Sequence, residues 1–332
     1  MQNNHRDYLF DNYKGFLILL VVVGHFIGPS VGCNEFLRIL KWIIVSFHMP
    51  AFIFISGYFS KRNLPLLTIL RRLAVPYLAY EVIYYCWYTY VTHKATELAL
   101  LKPKFTLWYL LALLLWRIVT PYVKKLPHYL LIAVLAGFLI GFSNMEDNLL
   151  TLPRALVYYP FYLAGTDFNR EWLTKWRSSR KLQTTAILTI LIVAVFLTFV
   201  GLVRLAPMQV FYGRYNYLSM KQGMLEGVLW RAVLYVIGFL MTFSWLLLLP
   251  EKQLPISYIG TRTMAIYLFH GLTYTYLEQC TGLLNHADSL WRTILLLLFC
   301  TLLTWLFSLK PFTGFTDFFS NLPIFASKKG TA

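Results

Sequence analysis

A lysine just before the first apolar run of the chain and a histidine within that run lie eleven positions apart. Lys14 stands just before the run, and His25 follows three valines and Gly24. Eleven residues of α-helix return to nearly the same face after a rise of about 16 Å, so both side chains share one stripe. The spacing predicts a helix with a cation at its edge and His25 in its middle. A neutral imidazole can accept a proton from a hydroxyl group, which makes His25 a candidate general base.

Two further histidines, His48 and His270, also fall within apolar runs. Ionisable side chains are costly inside a membrane and are usually retained where they face a cavity, a partner or a substrate path. The alternative interpretation is that each imidazole only hydrogen-bonds a neighbouring helix. Three imidazoles can also hold a metal ion, but no His-x3-His or carboxylate spacing accompanies them, and we predict no metal site.

The composition predicts the class of protein that carries these histidines. Of the 332 residues, 58% are hydrophobic and only 13% are charged. A soluble domain carries about a quarter charged residues, so the chain is predicted to be an all-α, polytopic membrane protein. We expect one domain over residues 1–332, built as a bundle of about ten spans of roughly 17–25 residues each. The predicted span centres are Val22, Phe52, Tyr84, Leu113, Val134, Tyr159, Ile192, Val236, Ile266 and Leu297.

Charge placement predicts how the bundle is oriented. With a cytoplasmic N-terminus, most of the 30 lysines and arginines fall in inner segments, including Lys328 and Lys329 near the C-terminus. This distribution favours cytoplasmic positions for both termini. The net charge of +16 reflects topology alone or, alternatively, also an anionic ligand that arrives from the cytosol. No basic domain stands apart from the apolar spans, so nucleic acid is not an expected partner.

Glu81 is the one acidic residue that falls clearly within a predicted span. A buried carboxylate needs a partner, so we predict that Glu81 neutralises a cytoplasmic-side cation such as Lys14 or an arginine. A catalytic role for Glu81 is the alternative.

The longest predicted outer loop, about residues 204–230, is rich in aromatic and amide side chains. It contains Tyr212, Tyr215 and Tyr217 within a short stretch. Aromatic rings can stack on the apolar face of a sugar while polar groups hydrogen-bond its hydroxyls, so we predict that this loop binds an acceptor. The alternative is an interfacial aromatic belt, and Trp108 allows the same two interpretations.

Several short motifs follow one another along the chain. They are Lys14 with His25, the segment from Phe47 through His48 and Ser56 to Tyr58, Arg71-Arg72 with Pro76-Tyr77, Leu107-Trp108, and Ile259-Gly260 through Tyr267 to His270. In this order they resemble the membrane acyltransferase 3 family, in its variety without an attached soluble domain, which includes the fucose 4-O-acetylase-like proteins. Lys14 replaces an arginine that is common in that family, which keeps the charge but loses the bidentate fork.

The resemblance implies an integral-membrane O-acyltransferase of the cell membrane. It would move an acyl group, usually acetyl, from cytosolic acyl-CoA to a hydroxyl group of a glycan or a lipid-linked sugar. Acyl-CoA is then a co-substrate, membrane lipid surrounds the protein, and no bound cofactor is expected. His25 would act as the base, with His48 or His270 orienting it or stabilising oxyanion charge, or His25 would itself accept the acyl group. The possible supporting residues are Asp11, Ser56, Glu81, Trp108 and Tyr267.

Three cations are predicted to bind the phosphates of the donor. The charge-derived topology places Lys14, Arg71 and Arg72 at the inner edge of the membrane. With its phosphates bound there, CoA could extend its pantetheine arm along the first helix and bring the thioester to His25. The alternative role of the three cations is that of positively charged anchors at the membrane surface. Two other classes of function also remain open: a multi-pass transporter of a sugar, lipid or anion with proton-relaying histidines, and a noncatalytic scaffold.

Overall fold

The computed structural model describes residues 6–94, 96–145 and 149–322, so Lys328 and Lys329 lie outside the described residues. Within these ranges the chain forms helices joined by loops, and no strand occurs. A π-helical turn, Leu70–Ala74, joins the third helix to the fourth. The helices are α1 Tyr8–Phe26, α2 Glu35–Tyr58, α3 Leu66–Ile69, α4 Val75–Thr92, α5 Trp108–Val123, α6 Tyr129–Leu139, α7 Leu152–Asp167, α8 Arg170–Arg177, α9 Arg180–Val203, α10 Met224–Leu248, α11 Pro255–Gly260, α12 Thr263–Cys280, α13 Leu290–Phe307 and α14 Lys310–Asn321.

Each of the ten predicted span centres lies in a separate helix. In the part of the chain that the structure describes, six helices are long and apolar enough to cross a membrane. The prediction of an all-α membrane protein is therefore confirmed in its coarse form, whereas the count of ten spans and the orientation of the termini stay predictions. The six helices are Tyr8–Phe26, Glu35–Tyr58, Phe105–Val123, Arg180–Val203, Met224–Leu248 and Leu290–Phe307.

The first helix begins earlier than its apolar run predicts. Because α1 starts at Tyr8 and ends at Phe26, His25 is its penultimate residue, and the prediction that His25 lies in its middle is wrong. The helix includes Asp11 and Asn12, two polar residues that the hydrophobic pattern leaves outside. Both are buried because other side chains and backbone carbonyls satisfy their polar atoms, which a hydropathy pattern does not reveal.

Asn12 fixes α1 against the segment that precedes α12. Its amide group donates hydrogen bonds to the carbonyl oxygens of Pro250 and Lys252, both at 2.9 Å. Its carbonyl oxygen accepts a hydrogen bond of 2.5 Å from the Ser257 hydroxyl. Since Ser257 lies on α11, directly before α12, these bonds set the register between the helix that carries His25 and the helix that carries His270.

Two helix crossings bring backbones into direct contact through glycine. At the crossing of α2 with α7, a Cβ atom on Gly57 would overlap the Tyr162 carbonyl, and one on Gly165 would overlap the Phe54 carbonyl. The crossing of α1 with α11 uses Gly260 in the same way. Small residues of this kind allow close packing between helices where lipid removes the hydrophobic driving force.

Replacing Gly165 with alanine is expected to destabilise the fold by about 1–3 kcal/mol or more, because the added methyl group overlaps the α2 backbone. The measurement is the midpoint of thermal unfolding in detergent. Gly314→Ala on α14 is the matched control, since its Cβ would meet no atom within 4 Å. A Gly165→Ala protein as stable as the Gly314→Ala protein would contradict the close crossing.

Candidate active site

A cavity of about 500 Å³ lies between α1, α2, α5 and α7. Two of the three predicted catalytic histidines, His25 of α1 and His48 of α2, line its wall. Trp108, at the start of α5, lines the same cavity, as do Tyr212 and Tyr215 from the loop after α9. The structure thus brings together five of the residues that the sequence singled out, from four separate parts of the chain.

His270 lies behind His25 rather than on the cavity wall. The two imidazole rings are 5.4 Å apart between centroids, and His270 is fully buried. The ring of Phe105 covers His25 from another side, with 4.8 Å between centroids. His25 is therefore flanked by a second imidazole and by aromatic rings, and it also lines the cavity.

Two of the histidines have a fixed tautomer. A ring nitrogen of His48, Nδ1, lies 2.7 Å from the Ile44 carbonyl oxygen, and Nδ1 of His270 lies 2.9 Å from the Ile266 carbonyl oxygen. Because a carbonyl oxygen only accepts, each Nδ1 carries the proton, and each neutral ring presents a lone pair at Nε2. The Nε2 atom of His270 is buried and has no hydrogen-bond partner. It is thus an available acceptor in the immediate surroundings of His25.

Ser56 and Tyr267, two predicted supporting residues, belong to one chain of contacts that ends at His270. The Ser56 hydroxyl hydrogen-bonds the hydroxyl of Tyr109 on α5. The rings of Tyr109 and Tyr267 are 5.7 Å apart, and Tyr267 lies 6.1 Å from the His270 ring. These residues join α2, α5 and α12 behind the cavity. No group of three or more histidine, cysteine or acidic side chains in the described ranges is arranged to hold a metal ion.

Tyr217 is the predicted acceptor residue that the structure does not bring to the cavity. Its ring is buried against Gly141 and Gly227, and its hydroxyl donates a 2.9 Å hydrogen bond to the Phe138 carbonyl oxygen. Tyr217 therefore holds the loop against α6 and α10, whereas Tyr212 and Tyr215 face the cavity.

The three predicted donor-binding cations are also absent from the residues that line this cavity. Lys14 forms an ion pair with Asp11 on its own helix, at 2.9 Å, and Asp11 also pairs with Arg6 at 2.7 Å. Asp11 thus partly neutralises the cation that the sequence assigned to the donor. Arg71 and Arg72 lie in the π-helical turn before α4. A second cavity of about 250 Å³ is lined by other cations, namely Lys61, Arg62, Arg117 and Lys124.

Glu81 pairs with Lys104, so the prediction that its partner is Lys14 or an arginine is wrong. One carboxylate oxygen lies 3.3 Å from the Lys104 ammonium, and the other accepts the Lys104 backbone N–H at 3.2 Å. The segment before α5 folds back over α4, which the sequence pattern does not predict. Phe105 follows directly in the left-handed backbone region, with φ of 46°. Glu81 therefore positions the ring that covers His25.

Lys41 and Arg154 are among the cations on the cavity wall that sequence reasoning missed. Lys41 lies on α2 and Arg154 on α7, and the Arg154 guanidinium lies 4.8 Å from the centroid of the Trp108 ring. No spacing relates either residue to His25, because the fold alone brings α2 and α7 to the end of α1. For Arg154 the sequence did offer a signal, because it is a charged residue that follows Pro153 inside a predicted apolar span.

A sequence model of the acyltransferase domain matches residues 7–309, which include every site residue described above. The chain belongs to this acyltransferase family. The nodulation protein NolL of Sinorhizobium fredii (strain NBRC 101917 / NGR234) is 43% identical to this acyltransferase over 60 residues. The matched segment spans 17% of this chain and 16% of NolL. No solved structure matches the acyltransferase. The family resemblance drawn from the ordered motifs is thereby confirmed.

The Glu81–Lys104 pair provides a stability test of the segment that covers His25. Glu81→Ala is expected to cost the acyltransferase roughly 2–3 kcal/mol, somewhat less than the 3–5 kcal/mol of a fully buried pair. The reduction reflects the Lys104 side chain, which keeps 15% exposure and thus some hydration. Thermal unfolding in detergent measures the effect, with Glu226→Ala, at an exposed position of α10, as the control. Equal midpoints for the two variants would show that the pair does not hold the segment.

Proposed function

We propose that this acyltransferase moves an acyl group, acetyl in the simplest case, from acyl-CoA to a hydroxyl group of a glycan or lipid-linked sugar. The observation that carries the proposal is the position of His25, which faces a cavity and is backed by the acceptor nitrogen of His270. Family membership supplies the reaction class. The cavity supplies a place in which a hydroxyl group and a thioester can meet a base.

The reaction needs a base because a neutral hydroxyl group is a poor nucleophile. In the proposed step, His25 removes the hydroxyl proton while the oxygen attacks the thioester carbonyl. The carbon–sulfur bond then breaks, the ester forms, and the proton passes from His25 to the leaving thiolate to give free CoA. Acyl-CoA is consumed as a co-substrate in this scheme, and no bound cofactor takes part.

The other two histidines are proposed to assist His25 in different ways. His48 presents Nε2 on the wall of the same cavity, where it can contact the acceptor or the developing oxyanion. His270 can accept an N–H of His25 and so stabilise the imidazolium that forms during transfer. The buried Nε2 without a partner supports this role for His270, because burial without a hydrogen bond is otherwise unfavourable.

Aromatic side chains on the cavity wall support a sugar as the acceptor. Tyr212 and Tyr215 offer ring faces and hydroxyl groups within the cavity that contains His25, and Trp108, one face of which is covered by Arg154, adds a further aromatic surface. Such surfaces suit a sugar, which has apolar faces and a polar edge. We propose that the acceptor reaches the protein as a membrane glycan or a lipid-linked sugar, and that the protein is a multi-pass protein of the cell membrane with a single domain.

For the donor, we retain as proposed phosphate-binding residues Lys14, near the start of α1, and Arg71 and Arg72, in the π-helical turn before α4. Lys14 keeps partial exposure beside Asp11, with 21% of its side chain accessible. A transporter would use the same histidines differently, but membership of an acyltransferase family favours transfer over transport.

His25→Ala is expected to lower the rate of acyl transfer by about 10²- to 10⁴-fold, because a positioned base acts mainly on the transition state. The assay follows radiolabel from acetyl-CoA into an extract of envelope glycans and glycolipids, with release of free thiol as a second readout. His286→Ala, at an exposed position after α12, is the control. A folded His25→Ala protein with normal activity would rule out the assignment of His25 as the base.

Tyr212→Ala and Tyr215→Ala are each expected to raise the acceptor concentration needed for half-maximal transfer. A lost ring contact of this kind corresponds to roughly a two- to tenfold change. The dependence on acetyl-CoA concentration should stay the same. Tyr217→Ala is the comparison, because Tyr217 packs outside the cavity and should change the thermal midpoint rather than the acceptor dependence. If all three variants behaved alike, the loop would have no specific role in acceptor binding.

A further inference from the structure

The cavity that contains His25 and His48 has a strongly positive wall. Of the residues that line it, none in the described ranges is acidic, whereas five are lysine or arginine. These five come from α2, from the segment before α5, from α7 and from the loop after α9. They are Lys41, Lys102, Lys104, Arg154 and Arg214.

These cations differ in how far other groups neutralise them. Lys104 is paired with the buried Glu81 and is already accounted for. Lys41 and Arg154 form no ion pair with a carboxylate of the described residues. Glu278 interacts electrostatically with Lys41 but forms no direct ion pair with it, and its carboxylate accepts a 2.7 Å hydrogen bond from the Tyr274 hydroxyl. The wall near the histidines therefore keeps at least two cations whose charge is not balanced by a direct partner.

The Trp108 ring fixes the position of the Arg154 guanidinium. The guanidinium lies across the face of Trp108, and both side chains line the cavity. Stacking on an aromatic ring leaves the edge of the guanidinium, which carries its N–H groups, free to face an anion. A planar guanidinium binds phosphate and carboxylate oxygens in pairs, which gives direction as well as attraction.

Unbalanced cations within a partly apolar cavity are costly unless an anion occupies the cavity with them. We propose that the substrate that fills this cavity carries a phosphate or a carboxylate, and that Arg154 and Lys41 bind this group while the reacting centre faces His25. The inference rests on the proposed function and specifies the chemical class of its substrate. The anionic group can belong to the acceptor, as an acidic or phosphorylated sugar. It can instead belong to the donor, as a phosphate of acyl-CoA, in which case Arg154 and Lys41 replace Lys14, Arg71 and Arg72 as the donor phosphate site.

Binding measurements on the purified, detergent-solubilised protein test the proposal without requiring turnover. Equilibrium dialysis compares radiolabelled acetyl-CoA with S-acetylpantetheine, which has the same thioester but no phosphate. It also compares glucose 1-phosphate with glucose, as a phosphorylated sugar and its neutral counterpart. The variants are Arg154→Gln and Lys41→Gln, which remove one charge each, and Arg154→Lys, which keeps it.

Lys94→Gln serves as the matched control, because Lys94 is exposed and lies outside the cavity in the segment that also carries Lys102 and Lys104. We expect Arg154→Gln and Lys41→Gln each to weaken binding of the anionic probe by at least about tenfold. The affinity of these two variants for the neutral counterpart should stay within about twofold of the parent value. The affinity of Lys94→Gln for the anionic probe should also stay within about twofold of the parent value. Arg154→Lys should recover part of the affinity, and the loss should shrink as salt rises.

The pattern of losses identifies the source of the anion. A loss for acetyl-CoA but not for S-acetylpantetheine assigns the group to the donor, whereas a loss confined to glucose 1-phosphate assigns it to the acceptor. Losses for both support the proposal for both substrates. If neither variant weakens either anionic probe, while thermal midpoints match the parent, the proposal is overturned. The proposed function fails by a different result, namely no label transferred from acetyl-CoA to envelope glycans or glycolipids by the parent protein.

Discussion

The position of His25 depends on hydrogen bonds at the other end of its helix. Asn12 joins α1 to the carbonyls of Pro250 and Lys252 and to the Ser257 hydroxyl. An α-helix is a stiff rod, so a fixed point near its start also fixes a side chain about 20 Å further along. Because Ser257 belongs to the segment that leads into α12, the same bonds determine where His270 lies. The contact between the two imidazoles is therefore set by a polar anchor far from either.

This anchor explains why the hydrophobic pattern predicted the first helix but not the residue at which it begins. All ten predicted span centres fall in separate helices, since long apolar runs form helices in a membrane. The start of α1 could not be read from the pattern, because Asp11 and Asn12 are polar and enter the bundle only through partners supplied by distant segments. The ordered motifs were sufficient to indicate the family, which the match over residues 7–309 confirms.

The residues that line the cavity could be predicted only where a motif or the composition of a loop singles them out. His25, His48 and Trp108 meet at one cavity; the two histidines were predicted from their positions in apolar runs, and Trp108 from its aromatic ring and its motif. Arg154, Lys41 and the true partner of Glu81 required the fold, because their roles arise from contacts between segments that are far apart in sequence. Tyr217 illustrates the converse, since it shares the composition of its loop but is buried beneath it. Composition singles out the loop, and packing decides which of its side chains face the cavity.

Phe105 bears on the competition between water and the proposed acceptor hydroxyl for the acyl group. Its ring covers one side of His25 and stacks on Tyr274 at 5.1 Å, while His270 occupies a further side. Water competes with the acceptor hydroxyl in any acyl transfer. A base that is open to solvent on several sides can activate a water molecule, which then hydrolyses the thioester. Phe105 and His270 shield two sides of His25, and in the proposed reaction the acceptor occupies the cavity that His25 lines. In the proposed reaction, the contacts that Glu81 makes with Lys104, next to Phe105, thus favour transfer of the acyl group to the acceptor over hydrolysis of the thioester.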